Sequence, residues 1–553
     1  MGCRRWLAVS ESTPSGSVAS EGSGRQPSDA PLASRPPGRR SLTPVGIVIT
    51  VAALLALGLR LYQVSRPGIL LGVTEYDDGP YFGSALRLVN GSIPYKNFVL
   101  VQPPGITLLM APVALLSKIF STAWAMAAGR ILTVLAGAAS VVLAGLLVRH
   151  RGILATVIVC GISAVYPDGI QAAHTVLVEP WLVLFSLLGA LALFEGDQLT
   201  TSWRRLALGG AAFGFAGAVE VWAIIPAIVI LVLSLRWPRR LGIYATGVAA
   251  GFVIPVAPFA ALAPHRFYTG VITAQIGPRA GAARVPLWDR LHEMTGLTDL
   301  ASPSHLLLAV ATVLIVAVVL GSLGLAAMLS GRLPPALDTF AVITTGLVVL
   351  SFMWPHQFHY HFSAFLAPFL ALAIGLPVSR LASVIRPDGT GILAAPALTR
   401  IGAVVAGLAI ITMLFAQVGA EGNRLPHVPL AHITALRHAI PAGACVSSDA
   451  VSFLIMANRF ISDVPGCPLL VDSIGTDYGL SHGLDPETGA ARYPNLVAVW
   501  RKSFGRAQYV WLSGAEAHRV PWTPALMTYF REHFAEILTY GSKGGTLYHR
   551  RGP

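Results

Sequence analysis

The chain has 553 residues, of which 54% are hydrophobic and 12% charged, with mean hydropathy +0.65 and formal net charge +13. A soluble domain carries about twice that charge fraction, so a soluble globular protein is excluded. The apolar runs are continuous rather than alternating, which excludes a membrane β-barrel. The positive charge gathers in short loops between apolar segments, as the orientation of a membrane protein requires, and no basic groove interleaved with aromatics points to nucleic acid.

Residues 1–43 are rich in Ser, Gly, Pro and Arg and nearly devoid of large apolar side chains. Such a segment cannot bury enough surface to fold alone and is expected to be a disordered cytoplasmic tail. No apolar core precedes a small-residue cleavage site, so the first apolar segment, Pro44 to Tyr62, reads as an uncleaved anchor. Arg35, Arg39 and Arg40 precede it and place the N-terminus inside. A loop follows over 63–124, whose apolar tail Ile106 to Phe120 is short and bounded by prolines. Placing that tail on the outer surface puts Arg149-His-Arg151, Arg204-Arg205, Arg236 to Arg240, Arg332, Arg380 and Arg386 all inside.

That register predicts spans near 44–62, 125–148, 152–167, 176–194, 206–222, 223–235, 241–263, 306–330, 339–355, 362–378 and 401–418. The expectation is a polytopic α-helical membrane protein with about eleven transmembrane helices over 44–418. Residues 206–235 are basic at both ends with Pro226 in the middle, which reads as a tight helical hairpin rather than one long helix. Residues 419–553 hold no further span and read as a small extracytoplasmic α/β or α+β domain.

Of the four cysteines, Cys3 lies in the polar tail and Cys160 in an apolar helix. Cys445 and Cys467 share the C-terminal region, where an oxidising compartment would favour a disulfide between them; two buried free thiols are the alternative.

The unusual polar residues fall on the outer side in this register. The first outer loop holds Asp77, Asp78, Lys96 and Gln102, and Arg130 stands near the start of the second span. His174 and Glu179 mark an outer helix start, Glu220 an outer helix end, and Arg266, Arg279 and Arg284 the loop 264–305. His356, His359, Tyr360 and His361 cap another span. Convergence of acids, histidines and cations on one face is what an outward-facing active site needs.

The ordered set Glu75-Tyr-Asp-Asp-Gly-Pro-Tyr-Phe82, Tyr95, Gln102-Pro-Pro-Gly105, Arg130 and the Thr175 to Phe185 stretch with Glu179 resembles the GT-C glycosyltransferases, in particular bacterial members akin to protein O-mannosyltransferases and lipid A aminoarabinose transferases. The resemblance spans most of 70–190. It departs at Gln102, where many relatives have His. It implies transfer of a sugar from a polyprenyl-phosphate donor to a cell-envelope glycan or lipoglycan, with inversion, on the outer face of the cytoplasmic membrane. The Ala/Gly/Arg/Val-rich composition resembles high-GC actinobacteria, where the chain looks like the polyprenyl-phosphomannose-dependent mannosyltransferases of lipoarabinomannan assembly. The same architecture also accommodates an arabinosyltransferase using decaprenyl-phosphoarabinose.

Glycosyl transfer to a hydroxyl needs a base as the new bond forms, and Asp77 or Asp78 fits that role, with Asp77 slightly preferred. The leaving lipid phosphate needs cations, for which Arg130, Lys96, Arg266, Arg279 and Arg284 are candidates. Tyr81, Gln102, His174, Glu179, His356 and His359 are candidates for substrate binding. The carboxylate pair with His356 and His359 also has the chemistry to hold a divalent cation; no other cofactor is expected. The bland alternatives are a turn carboxylate for either Asp, a dipole-satisfied helix start for Glu179, a packed histidine for His361, and interface-belt aromatics for Tyr81, Phe82, Trp124 and Trp181. A transporter or flippase of lipid-linked sugars would show inverted repeats and mid-membrane acids, and neither pattern is evident.

Overall fold

In the computed structural model the described residues are 43–274, 284–297, 304–355, 358–385, 395–424, 428–481, 484, 489–514, 519–540 and 545–552. Six described helices are long and apolar enough to cross a bilayer: Pro44–Ser65, Thr122–Arg151, Pro238–Leu262, His305–Ser330, Phe362–Val384 and Ala397–Asn423. Shorter apolar helices are Gly105–Lys118, Ile153–Val165, Glu179–Leu193, Val221–Leu233 and Ala336–Phe352.

Local chemistry explains where several helices begin. Thr43 caps Pro44–Ser65 through a bond from the Gly46 N–H, with Pro44 at the first helical position, and Ser121 caps Thr122–Val148 in the same way through Trp124. The 206–235 region is broken: helix Trp203–Val219 stops at Glu220, which is extended, and helix Ile224–Leu233 starts after a short 3-10 turn. The break falls at Glu220, beside the boundary expected between 222 and 223. Helix Trp203–Val219 packs along Pro238–Leu262 with its backbone nearly in contact. A methyl group on Gly210 or Gly214 would collide with the Tyr244 and Val248 carbonyls, and one on Gly247 or Gly251 with those of Ala207 and Ala211. With no hydrophobic drive between helices in lipid, such close approach is what holds a pair together.

A short hairpin, β1 (Phe194–Glu195) and β2 (Gln198–Leu199), turns the chain between two helices. The C-terminal lobe is built on a sheet of β3 (Val446–Ser448), β4 (Tyr509–Leu512), β5 (Phe534–Thr539) and β6 (Thr546–Arg550), in the order β3-β4-β6-β5. The β3–β4 pair is parallel and the others antiparallel. Trp500, Phe504, Val510, Leu526 and Phe530 fill one core of the lobe. Cys445 and Cys467 are joined by a disulfide, with Cα atoms 5.5 Å apart, while Cys160 is buried and unpaired.

The lobe has a second apolar face, and this one is shared. Phe453, Leu454, Ile455, Phe460 and Trp511 belong to the same core as Tyr81, Phe82, Leu86 and Met126. The first-loop helix Asp78–Val89 therefore lies between the membrane bundle and the lobe. Arg87 ties the same contact, stacking its guanidinium 4.2 Å from the Phe460 ring and donating to the Phe460 carbonyl at 3.0 Å.

Candidate active site

The two adjacent carboxylates of the first loop face different surroundings. Asp78 begins helix Asp78–Val89 and is fully buried. Its Oδ2 accepts from Arg130 Nη2 at 2.7 Å and from the Thr175 hydroxyl at 2.6 Å, and its Oδ1 from the Ser452 hydroxyl at 2.9 Å. Arg130 is equally buried and equally engaged. Nη1 donates to the carbonyls of Ile69, Leu70 and Gly72 at 2.6, 2.8 and 2.9 Å, and Nε to Thr175 Oγ1 at 3.0 Å. A buried ion pair whose remaining valences are all hydrogen-bonded is the arrangement that offsets desolvation. The Arg130 guanidinium, expected at the donor phosphate, is engaged here with Asp78 and with loop carbonyls. Asp78 is fully buried among these partners.

Asp77 differs. Its side chain is 37% exposed, and it makes no capping bond to the helix it precedes. On its inner side Oδ2 lies 3.6 Å from His361 Nε2, and His361 Nδ1 lies 2.6 Å from Glu179 Oε1. His361 and Glu179 are both buried, so the three groups form a chain running inward from the exposed acid. Burial works against charge on the His361 imidazole, but Glu179 on one nitrogen and Asp77 on the other outweigh it and raise its pKa well above the usual histidine range. Burial also works against charge on Asp77, but His361, then His359 and Arg519, hold its carboxyl below the usual range. The result is a partly exposed, ionised carboxylate with an imidazolium behind it.

Other groups surround this chain. Glu75 accepts from the Tyr360 hydroxyl at 2.7 Å, and burial pushes its carboxyl up to about 7. The His359 ring stacks on His361 at 5.5 Å, on the more exposed side. Gln102 donates to the Tyr81 hydroxyl at 3.3 Å, and its own carbonyl oxygen Oε1 is buried with no partner among the described residues. Glu220 is buried, with Oε1 accepting from the Val221 N–H at 3.0 Å. His174 is buried with Nδ1 against the Gln171 carbonyl.

The proposed cations occupy two places. Lys96 and Arg266 are exposed and adjacent, Arg266 Nη1 donating to the Lys96 carbonyl at 2.9 Å. Arg284 donates to the Met353 carbonyl at 2.8 Å, at the entrance to the segment that carries Tyr360 and His361. Arg279 and His356 lie outside the described residues. Among the described residues no cluster of three or more His, Cys, Asp or Glu is placed to hold a metal ion. The expectation of belt aromatics is corrected for Tyr81, Phe82 and Trp181, which are buried; Trp124, 56% exposed, remains suited to that role.

No protein-family model and no curated protein matches the sequence. Solved structures do match in three dimensions. The structure of ArnT from Cupriavidus metallidurans bound to undecaprenyl phosphate matches with a TM-score of 0.56 at 14% identity, over 91% of this chain and 97% of that one. The Archaeoglobus fulgidus oligosaccharyltransferase tethered with an acceptor peptide matches with a TM-score of 0.52 at 12% identity, over 92% of this chain and 74% of that one. The chain shares the fold of these two structures, the GT-C fold. At these identities the likeness is one of fold.

Within the GT-C fold, sequence reasoning left out three residues of the site. Glu75 stood in the quoted motif but was not weighed as a titrating group. His361 was taken as a packed histidine, and its signal was the run of aromatics and histidines that ends at the start of a span. Arg519 carried no local signal, because it approaches Tyr76 only once the lobe has docked.

Proposed function

We propose that this protein is a membrane glycosyltransferase that moves a sugar, with mannose the expected one, from a polyprenyl-phosphate donor to a cell-envelope glycan or lipoglycan on the outer face of the membrane. The observation that carries the reading is Asp77, ionised and partly exposed, backed by His361 and Glu179, in the first loop of a GT-C fold. The match to a structure bound to undecaprenyl phosphate supports a lipid-phosphate donor.

In the proposed reaction an acceptor hydroxyl lies against Asp77. Its oxygen attacks the anomeric carbon, its proton passes to the Asp77 carboxylate, and the bond from that carbon to the phosphate oxygen breaks with inversion. The bonding electrons leave with the polyprenyl phosphate, so the leaving group needs positive charge rather than a proton donor. Lys96, Arg266 and Arg284 are the described candidates for that charge, and Arg279 stays a candidate from the sequence. Tyr81, Gln102 and His359 are the candidates nearest Asp77 for contact with sugar hydroxyls.

The test is transfer from radiolabelled polyprenyl-phosphomannose to envelope glycans in membranes containing the protein, wild type against Asp77→Asn. Transfer by the wild type alone is the expected result. If only a polyprenyl-phosphoarabinose donor is consumed, the class stands and the sugar is corrected. Failure with both donors sinks the enzyme reading.

A further inference from the structure

Tyr76, immediately before Asp77, is gripped by the C-terminal lobe. Its hydroxyl donates to Asp472 Oδ1 at 3.1 Å, lies 2.9 Å from the Ser473 hydroxyl and accepts from the Ile474 N–H at 3.0 Å. The Arg519 guanidinium covers its ring, 4.3 Å from the centroid. A cation over an aromatic face at that distance is attracted by the ring quadrupole. Ser452 holds the same stretch of chain, its hydroxyl 3.1 and 3.3 Å from the Glu75 and Tyr76 carbonyls.

The lobe's topology brings these groups to one place. Strands β3 and β4 run parallel, and the residues just past their carboxyl ends meet there: Asp449 accepts from the Ser513 N–H at 2.8 Å and its hydroxyl at 2.6 Å. The Ser473 hydroxyl donates to the Asp449 carbonyl at 2.5 Å, which links this corner to Tyr76. The carboxyl ends of parallel strands are where open α/β sheets present ligand-facing groups. Arg519 lies on the chain that leaves β4 from this corner.

We propose that Arg519 is a positioning residue for Asp77: through its stack on Tyr76, the C-terminal lobe sets the place of the Asp77 carboxylate and supplies positive charge from the lobe side. The inference rests on the reading of Asp77 as the base. The groups facing Asp77 can be named from each side. Its own segment offers Glu75 and Asp78, the latter neutralised by Arg130. The membrane bundle offers His359 and His361, with Glu179 and Glu220 behind them, and Tyr81 lies on the first-loop helix. The lobe offers Arg519 and Asp472, which act in opposite directions on the carboxyl. Removing Arg519 leaves the lobe's contribution negative.

The experiment is the pH profile of kcat/KM for sugar transfer in wild type, Arg519→Gln, Arg519→Lys and Tyr76→Phe, with thermal midpoints measured alongside. Arg519→Gln moves the acid limb to higher pH, with a several-fold loss at the acid end that recovers on the alkaline side. Arg519→Lys keeps the charge and returns the limb to its wild-type place. Tyr76→Phe loses the hydroxyl bonds but keeps the stack, so its thermal midpoint falls while the limb stays. The inference is overturned if the Arg519→Gln profile superimposes on wild type or drops uniformly at every pH. It is also overturned if Tyr76→Phe displaces the limb as far, because docking rather than charge then explains the shift. A wild type inactive with every donor, or an Asp77→Asn variant as active as wild type, brings down the reading of the base and this inference with it.

Discussion

The knot around Asp78 and the chain from Asp77 to Glu179 are made of similar materials: buried acids, a cation, and helix ends that deliver them. In the knot every oxygen of Asp78 is accounted for, and Arg130 has spent its donors on loop carbonyls and threonines. In the chain one end is open to solvent at Asp77, and at the other end Glu179 Oε2 has no partner among the described residues. Saturation separates an acid that holds the loop from one left open to solvent, and adjacency in sequence says nothing about which is which.

The sharpest way to break this comparison is to exchange the roles. Asp77→Asn is expected to lower transfer by about 10²- to 10⁴-fold, the range of a lost general base, with its thermal midpoint in detergent unchanged. Asp78→Asn is expected to do the reverse of a clean catalytic loss. It leaves Arg130 buried without its counter-charge, at a cost of about 3–5 kcal/mol, seen as a depressed thermal midpoint and poor recovery from membranes. If Asp78→Asn melts like wild type but is inactive, the division between knot and chain is wrong.

Smaller effects refine the chain. His361→Gln removes the imidazolium that holds the Asp77 carboxyl low, so the acid limb of kcat/KM moves to higher pH, with about a tenfold loss at the acid end. An unmoved limb would show that His361 does not act on Asp77. The smallest effect concerns Glu75, whose folded carboxyl is pushed up to about 7 by burial, against the Tyr360 hydrogen bond. The folded state then binds a proton more tightly than the unfolded chain does. Stability from Glu75 is therefore fully present below the ordinary glutamate range and is lost as pH rises through about 7. Asp472, lifted to about 6 by burial, acts in the same direction over a lower window. Glu75→Gln is expected to flatten the fall in thermal midpoint between about pH 5 and 8; an unchanged slope would count against the buried carboxyl.

Much of the bundle was legible because lipid imposes a simple rule: backbone groups must be satisfied within the segment, so apolar length alone announces a helix. Pro226 and the basic ends point to a break between residues 206 and 235, with a boundary expected at 222/223, and the chain opens beside it at Glu220, where an extended backbone interrupts the ladder. Proline is tolerated near a helix start, so it marked the neighbourhood and not the point. The site was legible in its residue types and much less so in its pairings. Nothing local tells Asp78 from Asp77. The partners that distinguish them, Arg130, Thr175 and Ser452, arrive from helix Thr122–Val148, from the turn before helix Glu179–Leu193 and from the lobe. His361 was missed for the same reason, since a histidine at a helix start looks alike whether or not two acids close on it.

The core shared by helix Asp78–Val89 and the C-terminal lobe fixes an order of manufacture. A ribosome delivers the first loop early, at about 5–20 residues per second, and Phe453, Trp511 and Arg519 only later. Until then the loop lacks the apolar surface it packs against, and Asp78 lacks Ser452. A nascent chain that stalls after Ala397–Asn423 holds the described membrane-length helices but not the lobe residues that Asp78–Val89 packs against. The packing of the first loop and the folding of the lobe are thus completed together, at the end of translation.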